Sequence, residues 1–251
     1  MIPKIIWHTY ETEYDLLPDN VKLFRESWIK DYPDFKHHYM DAKQREDFVL
    51  NEYGKDWYNI FIKLPHNIMR ADVWRHLILY RYGGIYFDLD TSPIYNINKW
   101  LKDEYSFITF GDESEEAFLF YYQVIASTPN NPIGKSVLDV MFNQFNSYEY
   151  KNDNPSGIHF ICKYSGELPF IKGIKNLLDP NNTILPITKH KSYNELELSK
   201  KYGFHCYAEE YDTYDGKAFN NVDGANNWIL GYNSWWKDIG YKGVGRKPNA
   251  K

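Results

Sequence analysis

Apolar and polar positions follow two periods along the chain, one suited to strands and one suited to helices. Short apolar runs predict strands at residues 2–8, 35–40, 106–110 and 117–125, and another after Gly84. Apolar residues spaced three or four apart predict helices at residues 20–30, 43–51, 65–82, 132–145 and 168–178. Residues 156–160 open a further element, whereas residues 192–223 are polar and irregular. Strands that alternate with helices indicate a Rossmann-like α/β layer, whose ligands bind at the carboxyl ends of strands.

The helix predicted at residues 65–82 is expected to be largely buried. Proline in its first turn and a glycine pair after Tyr82 mark its two ends. Its apolar residues cover most of the circumference, so little of it is left to face water. Asp72 and Arg75, three residues apart, would then be neighbouring buried charges. Proteins tolerate such charges when they are paired, hydrogen-bonded or used, so this spacing fits both an internal ion pair and a ligand site.

Gly83 and Gly84 lead from this helix into a short apolar run that ends in two carboxylates, Asp88 and Asp90. On a strand these two side chains would share one face. Two carboxylates at one edge repel each other unless a cation or hydrogen bonds offset their charge. Mg²⁺ and Mn²⁺ prefer oxygen ligands, and Mg²⁺ is often held by one or two carboxylates together with substrate phosphates. The sequence therefore predicts a metal-phosphate site at this point.

Residues 70–90 resemble the DXD sugar-binding block of glycosyltransferase family 32. That family includes the initiating α-mannosyltransferases of the fungal Golgi and is distantly similar to the clostridial glucosylating toxins. Residues 2–8 resemble its opening strand, residues 27–35 resemble its next block, and residues 234–236 resemble a serine-tryptophan element that closes the site. The resemblance implies a GT-A type Rossmann-like single domain, with a central mixed sheet flanked by helices. It also implies a retaining, divalent-metal-dependent glycosyltransferase.

The resemblance implies a role for each residue that matches the family. Asp90 is the implied metal ligand, and Asp88 contacts the ribose or sugar and reaches the metal through water. Asp72 matches a residue that binds donor-sugar hydroxyls, and Arg75 matches one that bridges sugar and phosphate. The expected catalytic set is thus Asp88, Asp90 and Arg75. The expected substrate-binding set adds Asp72 and the following residues: Trp7, which would stack on the base, His8, Arg70, Tyr86, Ser234, Trp235 and Trp236. Ordinary roles stay open for two of these, a core aromatic for Trp7 and a surface cap for Arg70.

The third ligand of the implied metal site differs from the family pattern. Family members usually carry a histidine or another ligand just before the serine-tryptophan element, and residues 228–236 contain no histidine. Asn233 is the candidate for this place, with Asp223, His205 or water as substitutes. Backbone freedom at Gly231 beside large aromatic anchors also predicts a lid, in which Ser234 and one tryptophan approach the β-phosphate when donor and metal are bound. The alternative is that both tryptophans are fixed core residues.

Composition narrows the class of protein further. The chain has 251 residues, 43% of them hydrophobic, which is enough for one sizeable α/β domain. A net charge of -5 argues against a sequence-independent nucleic-acid binder. Aromatic residues at 18% fit a sugar-handling site without proving one. Because no apolar run approaches roughly 18 residues and no signal region opens the chain, we expect a soluble, cytoplasmic or otherwise intracellular protein without a membrane span.

The sequence thus predicts a transferase that moves a sugar from a UDP- or GDP-sugar to a glycan or other hydroxyl acceptor, with Mn²⁺ or Mg²⁺. We expect a single domain over residues 1–251, with a nucleotide-sugar and metal half at 1–110 and an acceptor half with the lid at 111–251. Two alternatives stay open. The missing third ligand would suit a catalytically inactive sugar-nucleotide-binding protein. Residues 87–92 also approximate the aspartate pair of haloacid-dehalogenase-type phosphohydrolases, although no convincing later lysine or acidic pair follows.

Overall fold

A computed structural model of the chain describes residues 1–17, 19–89, 91, 96–111, 120–155, 157–183 and 190–207. The strands are β1 (Ile5–Thr9), β2 (Lys36–Met40), β3 (Gly84–Phe87), β4 (Phe107–Phe110), β5 (Tyr121–Ser127) and β6 (Phe204–Tyr207). The longer helices are α1 (Asp19–Asp31), α2 (Ala42–Phe61), α3 (Asn67–Tyr82), α4 (Pro132–Asn146), α6 (Gly157–Tyr164) and α7 (Glu167–Leu178). Three short helices complete the set: α5 (Tyr148–Asn152), α8 (His190–Glu195) and α9 (Glu197–Lys201).

The six strands form one mixed sheet in the order β2-β1-β3-β5-β4-β6. Strand β1 runs parallel to β2 and to β3, and β5 runs antiparallel to β3 and to β4. Strand β6 runs parallel to β4 at the far side of the sheet. Strands β1 and β3 therefore end at the same edge, which brings the residues after Phe87 close to those after Thr9. This is the edge where ligands bind in open α/β sheets.

Helices cover both faces of this sheet. Because strand side chains alternate between the faces, Trp7 and Tyr86 point into the larger core beneath α2, α3, α4 and α7, whereas Ile6 and Phe87 point into a smaller core with Trp28 of α1. Trp28 stacks on Phe87 with ring centroids 3.9 Å apart, and its Nε1 donates to the carbonyl of Thr91 at 2.7 Å. Helix α1 thus holds the segment that follows β3 in place, from the sheet face that carries the smaller core.

Helix α3 lies almost wholly inside the protein, as its sequence pattern predicts. Eleven of its residues are buried, and they include Asp72, Arg75 and His76. Gly83 ends the helix with φ +67° and donates its N–H to the carbonyl of Leu79 at 2.8 Å. Gly84 also has a positive φ of +101°, a region that L side chains rarely adopt. The glycine pair therefore turns the chain directly from the buried helix into the buried strand β3.

Two predicted elements need correction. Helix α2 runs ten residues beyond the predicted end at residue 51, because Gly54 leaves helical geometry with φ +72° and the chain then resumes a helix up to Phe61. Residues 192–223 are predicted to be irregular, yet the described part of this stretch holds the end of α8, all of α9 and strand β6. These are short elements whose polar outer faces hide their periodicity, and pairing with β4 stabilises β6. Among the described residues, no helix is both long and apolar enough to cross a membrane.

We predict that Gly83→Ala destabilises the protein more than Gly54→Ala does. The two glycines have nearly the same backbone angles, φ +67° and ψ -165° against φ +72° and ψ -170°, so a strain of about 1–3 kcal/mol is shared by both changes. A Cβ at Gly83 would lie 2.7 Å from Pro129 Cδ and 2.8 Å from the Ser127 carbonyl oxygen, whereas a Cβ at Gly54 meets no atom within 4 Å. Urea unfolding measures both. Equal losses of unfolding free energy would contradict the steric explanation.

Candidate active site

Arg75 stands at the centre of a group of polar side chains beside the carboxyl end of β3. Its Nη2 donates to Asp72 Oδ1 at 2.8 Å, and its Nη1 donates to the Tyr122 carbonyl at 2.7 Å. The same Nη1 lies 3.4 Å from Asp88 Oδ1. The guanidinium carbon lies 4.5 Å from the ring centre of Tyr86 and 4.2 Å from that of Tyr122, within cation-π range of both. One cation therefore links helix α3, strand β5 and the residue that follows β3.

Asp72 is held through both of its carboxylate oxygens. Oδ1 accepts from Arg75, and Oδ2 accepts from the Ser165 hydroxyl at 2.9 Å. The Tyr122 hydroxyl donates to the Ser165 carbonyl at 2.6 Å and lies 3.0 Å from His76 Nε2. Since Tyr122 has one proton to donate, His76 would carry its own proton on Nε2. The prediction that Asp72 and Arg75 are buried neighbours on one helical face is confirmed, and their ion pair belongs to a larger buried network.

Asp88 lies just past the end of β3, and not on the strand as predicted. The carbonyl of Asp88 accepts from both the N–H and the hydroxyl of Thr91, at 3.1 and 2.7 Å, so a turn begins at Asp88. Tyr86 donates its hydroxyl to Asp88 Oδ1 at 2.6 Å. The two described contacts of this carboxylate, with Tyr86 and with Arg75, both use Oδ1. At 22% exposure the Asp88 side chain is the most accessible of the three charged groups.

Burial shapes the charges of this site. It raises the pKa of Asp72 to about 7, although the Arg75 charge and the Ser165 hydroxyl act the other way. Burial also raises the pKa of Asp88, again against the nearby Arg75 charge and the Tyr86 hydroxyl. The surrounding acidic groups hold the pKa of Arg75 well above its ordinary value despite burial, so it stays a cation. Two carboxylates therefore share one permanent positive charge, and of the three groups Asp88 has the most contact with solvent.

Trp7 is the middle residue of β1 and His8 follows it, and both are buried. Trp7 donates its Nε1 to the Gly83 carbonyl at 2.8 Å and stacks on His38 with ring centroids 4.6 Å apart. His8 has no hydrogen-bond partner for either ring nitrogen within the described residues, and burial lowers its pKa to about 3. Trp7 thus packs against the turn between α3 and β3. Its predicted contact with a nucleobase, and that of His8 with the donor, stay predictions.

Arg70 lies two residues before Asp72 on α3, and its side chain makes different contacts. Its Nη2 donates to the Ile62 carbonyl at 2.9 Å, and its Nη1 lies 3.3 Å from Glu46 Oε1. These contacts fasten α2 and the residue that follows it to the start of α3. Of its two predicted roles, the structure shows the capping contacts, and the contact with sugar or phosphate stays a prediction.

Several residues of the predicted site lie outside the described part of the chain: Asp90, Asp223, Asn233, Ser234, Trp235 and Trp236. His205, one substitute for the third metal ligand, lies on β6, three strands away from β3 in the sheet. It stacks on Tyr105 at 4.2 Å, and burial lowers its pKa to about 4. The described residues contain no group of three His, Cys, Asp or Glu side chains that could hold a metal ion.

Sequence reasoning missed four residues of the network: His76, Tyr122, Ser165 and Glu167. His76 and Tyr122 fall within a predicted helix and a predicted strand, and nothing in their spacing marks them. Ser165, Gly166 and Glu167 precede an apolar run, a pattern that signals a helix start, and α7 does begin at Glu167. That signal locates the turn between α6 and α7. It does not reveal that the turn lies against α3.

Comparison with known proteins agrees with this geometry. Residues 18–107 match the family described as the glycosyltransferase sugar-binding region containing DXD motif. This part of the chain holds the buried pair, the glycine turn and Asp88, and the resemblance to glycosyltransferase family 32 is confirmed there. An initiation-specific alpha-1,6-mannosyltransferase of Schizosaccharomyces pombe is 32% identical over 108 residues, which are 41% of this chain and 26% of the fungal protein.

Two further similarities extend over more of the chain. An uncharacterized glycosyltransferase of Acanthamoeba polyphaga mimivirus is 27% identical over 143 residues, 57% of this chain and 56% of the viral protein. The solved structure of the PaToxG glycosyltransferase superposes with a TM-score of 0.52 at 17% identity, over 80% of this chain and 77% of that one. At this identity the superposition shows the fold, and the predicted GT-A type Rossmann-like architecture is confirmed. The matched stretches span about a quarter to a little over half of these curated relatives.

We predict that Asp72→Asn keeps the fold and removes a pH dependence of stability. Arg75 keeps the Tyr122 carbonyl and Asp88 as partners, so it is not left as an isolated buried charge. In the wild type, a folded pKa of about 7 against about 3.9 in the unfolded chain means that the folded state binds this proton more tightly. The contribution of Asp72 is therefore full below about pH 4 and is lost as the pH rises through about 7.

Urea unfolding at about pH 5 and pH 8 tests this expectation. The wild type should lose unfolding free energy relative to Asp72→Asn as the pH rises. A difference between the two proteins that does not change with pH would contradict the raised pKa. Gross unfolding of Asp72→Asn at both values would show that the pair is chiefly a structural support.

Proposed function

We propose that this protein transfers a sugar from a nucleoside-diphosphate sugar to a hydroxyl acceptor, with retention at the anomeric carbon and with a bound divalent cation. The observation that supports this most strongly is the buried Asp72–Arg75 pair joined to Asp88 at the carboxyl edge of β3. The three charges lie within the segment that matches the DXD sugar-binding region. A buried ion pair alone rarely adds stability over apolar packing, so its retention at a ligand-binding edge favours a functional role.

The donor groups of Arg75 suit an anionic ligand beside a sugar. Nη1 and Nη2 are engaged by Asp72, Asp88 and the Tyr122 carbonyl, whereas the buried Nε has no hydrogen-bond partner among the described residues. An unpaired buried donor is costly, and a phosphate or sugar oxygen would satisfy it. In this role Arg75 bridges sugar and diphosphate. The fixed guanidinium, already desolvated, needs little rearrangement as charge develops on the leaving group.

Asp72 and Asp88 would orient the sugar from opposite sides of Arg75. Asp72 is the group proposed to accept hydrogen bonds from donor-sugar hydroxyls, and Asp88 the one proposed to contact the ribose or sugar. Tyr86 holds Asp88 through its hydroxyl and supports Arg75 with its ring. These contacts fix the rotamers of the side chains that would meet the donor, which is the preorganisation that a transferase needs.

The chemistry of the site suits a hard cation. Asp88 offers a partly exposed carboxylate, the ligand type that Mn²⁺ and Mg²⁺ prefer, and Asp90 follows two residues later. Asp88 and Asp90 would hold the ion, with Asn233 as the candidate third ligand. When bound, the ion would neutralise the diphosphate leaving group.

The names of the relatives suggest the donor class. The Schizosaccharomyces pombe relative is named as an alpha-1,6-mannosyltransferase, and a second protein of that yeast, 33% identical over 108 residues, is named as an inositol phosphoceramide mannosyltransferase. We therefore propose GDP-mannose as the first donor to test, with UDP-sugars next. A screen with Mn²⁺ that follows nucleoside diphosphate release gives the class and the donor together. Binding without turnover would favour an inactive sugar-nucleotide-binding protein, and phosphomonoester hydrolysis would favour the phosphohydrolase alternative.

We predict that Asp88→Asn and Asp90→Ala each lower sugar transfer by about a hundredfold or more, because each would remove a carboxylate from the cation and the diphosphate. Excess chelator should abolish turnover of the wild type. Asp139→Asn is a matched control, since Asp139 is a surface residue of α4 paired with Lys135. Initial rates of nucleoside diphosphate release measure all three variants. Undiminished release of nucleoside diphosphate in the presence of chelator, or by Asp90→Ala, would contradict the metal-dependent mechanism.

A further inference from the structure

We propose that the turn Ser165-Gly166-Glu167, between α6 and α7, forms the wall of the donor site that recognises the transferred sugar. In this wall Ser165 is a positioning residue that fixes the carboxylate of Asp72. Glu167 is a specificity-determining residue whose carboxylate accepts a hydrogen bond from a hydroxyl of the sugar. This inference rests on the proposed function and extends the donor site beyond residues 18–107.

Ser165 reaches Asp72 across a long separation in sequence. The two residues are 93 positions apart, yet the Ser165 hydroxyl lies 2.9 Å from Asp72 Oδ2 and the serine is fully buried. The Ser165 carbonyl in turn accepts the Tyr122 hydroxyl at 2.6 Å, which holds the turn against β5. With Oδ1 bound to Arg75 and Oδ2 bound to Ser165, the carboxylate plane of Asp72 has one orientation. A carboxylate held in this way can present its remaining lone pairs in a fixed direction.

Glu167 places a second carboxylate in the turn that contacts Asp72 through Ser165. It is the first residue of α7, two positions after Ser165, and it is half-buried. Burial is the main cause that raises the pKa values of Asp72, Tyr122 and Cys162, and the Glu167 charge adds to each of these shifts. Glu167 also forms a hydrogen bond with the Cys162 thiol. Described basic side chains do not pair with Glu167 in a salt bridge, since the ion pairs of this region are those of Lys163 with Glu149 and Asp153.

The sum of charges at this wall favours a sugar. Asp72 and Asp88 already contact the one cation, Arg75, and Glu167 adds a third carboxylate two residues from Ser165, so a further anion would be repelled on the Glu167 side. Hydroxyl groups are neutral donors that satisfy carboxylate oxygens without adding charge. The diphosphate and its cation would lie toward Asp88, and the sugar ring toward Asp72 and Glu167. The turn therefore lies where side chains would distinguish sugars by the positions of their hydroxyl groups.

The test measures the part of donor affinity that the sugar contributes. Dissociation constants for GDP-mannose, UDP-glucose, GDP and UDP are measured by calorimetry with Mn²⁺ at about pH 8, where Asp72 is ionised. In Glu167→Gln and in Ser165→Ala, the affinity for the preferred sugar nucleotide should fall about tenfold or more. The affinity for the matching nucleoside diphosphate should stay within about twofold, because that part of the ligand lies away from the wall.

Glu197→Gln is the matched control. Glu197 is also the first residue of a helix, α9, it is exposed, and the change removes the same charge. It should leave both affinities unchanged. Ser165→Thr, which keeps a hydroxyl, should restore sugar-nucleotide binding relative to Ser165→Ala if the hydroxyl acts by orienting Asp72. Thermal unfolding of each variant checks that the fold is intact.

The possible outcomes separate this inference from the proposed function. In one outcome the wild-type protein binds or turns over a sugar nucleotide, and Glu167→Gln keeps the wild-type ratio of affinities for sugar nucleotide and nucleoside diphosphate. This outcome would leave the proposed function intact and overturn the inference about the turn. Equal losses for sugar nucleotide and nucleoside diphosphate would also overturn it, because a general structural effect would then explain the change. Wild-type protein that binds none of the four probes would overturn both proposals.

Discussion

The desolvated guanidinium of Arg75 is the group on which the candidate site depends. A cation this deeply buried must have its charge offset, and three parts of the chain do so: Asp72 on its own helix, the carbonyl and ring of Tyr122 on β5, and the ring of Tyr86 on β3 together with Asp88, which follows that strand. Each partner is thereby held at a set distance from the others. The same contacts that make the burial of Arg75 tolerable also gather two carboxylates at one edge of the sheet.

The backbone turn between α3 and β3 sets the position of Arg75 relative to Asp88. Helix α3 must end and β3 must begin within two residues, and the positive φ values of Gly83 and Gly84 make that turn possible. The Trp7 indole donates to the Gly83 carbonyl, so the turn is also fastened to β1. Thr91 then ends the strand by capping the Asp88 carbonyl, and Trp28 of α1 holds Thr91 in place. Asp88 therefore emerges at the carboxyl edge in a turn that both sheet faces support.

The second half of the described chain completes the network around Arg75. Helices α4 and α7 pack against the same face of the sheet as α3, and this packing brings the turn between α6 and α7 onto Asp72. Ser165 and Tyr122 then close a chain of hydrogen bonds from Arg75 to His76. The segment that matches the sugar-binding family thus holds only part of the candidate site, and residues well beyond that segment complete it.

Local pattern was sufficient to predict the parts of the protein that depend on neighbours in sequence. The apolar circumference of α3, its i to i+3 charge pair, the glycine turn and the run up to Asp88 all follow from residues close together, and the structure has them. Helix α2 past Gly54 and strand β6 were missed, because a glycine interruption and a short edge strand have weak periodicity of their own. The burial of Arg75 between two tyrosine rings, the turn at Asp88, and the contact of Ser165 with Asp72 across 93 residues were decided by tertiary packing. Such contacts depend on how helices and strands distant in sequence pack together, and spacing along the chain carries no record of that.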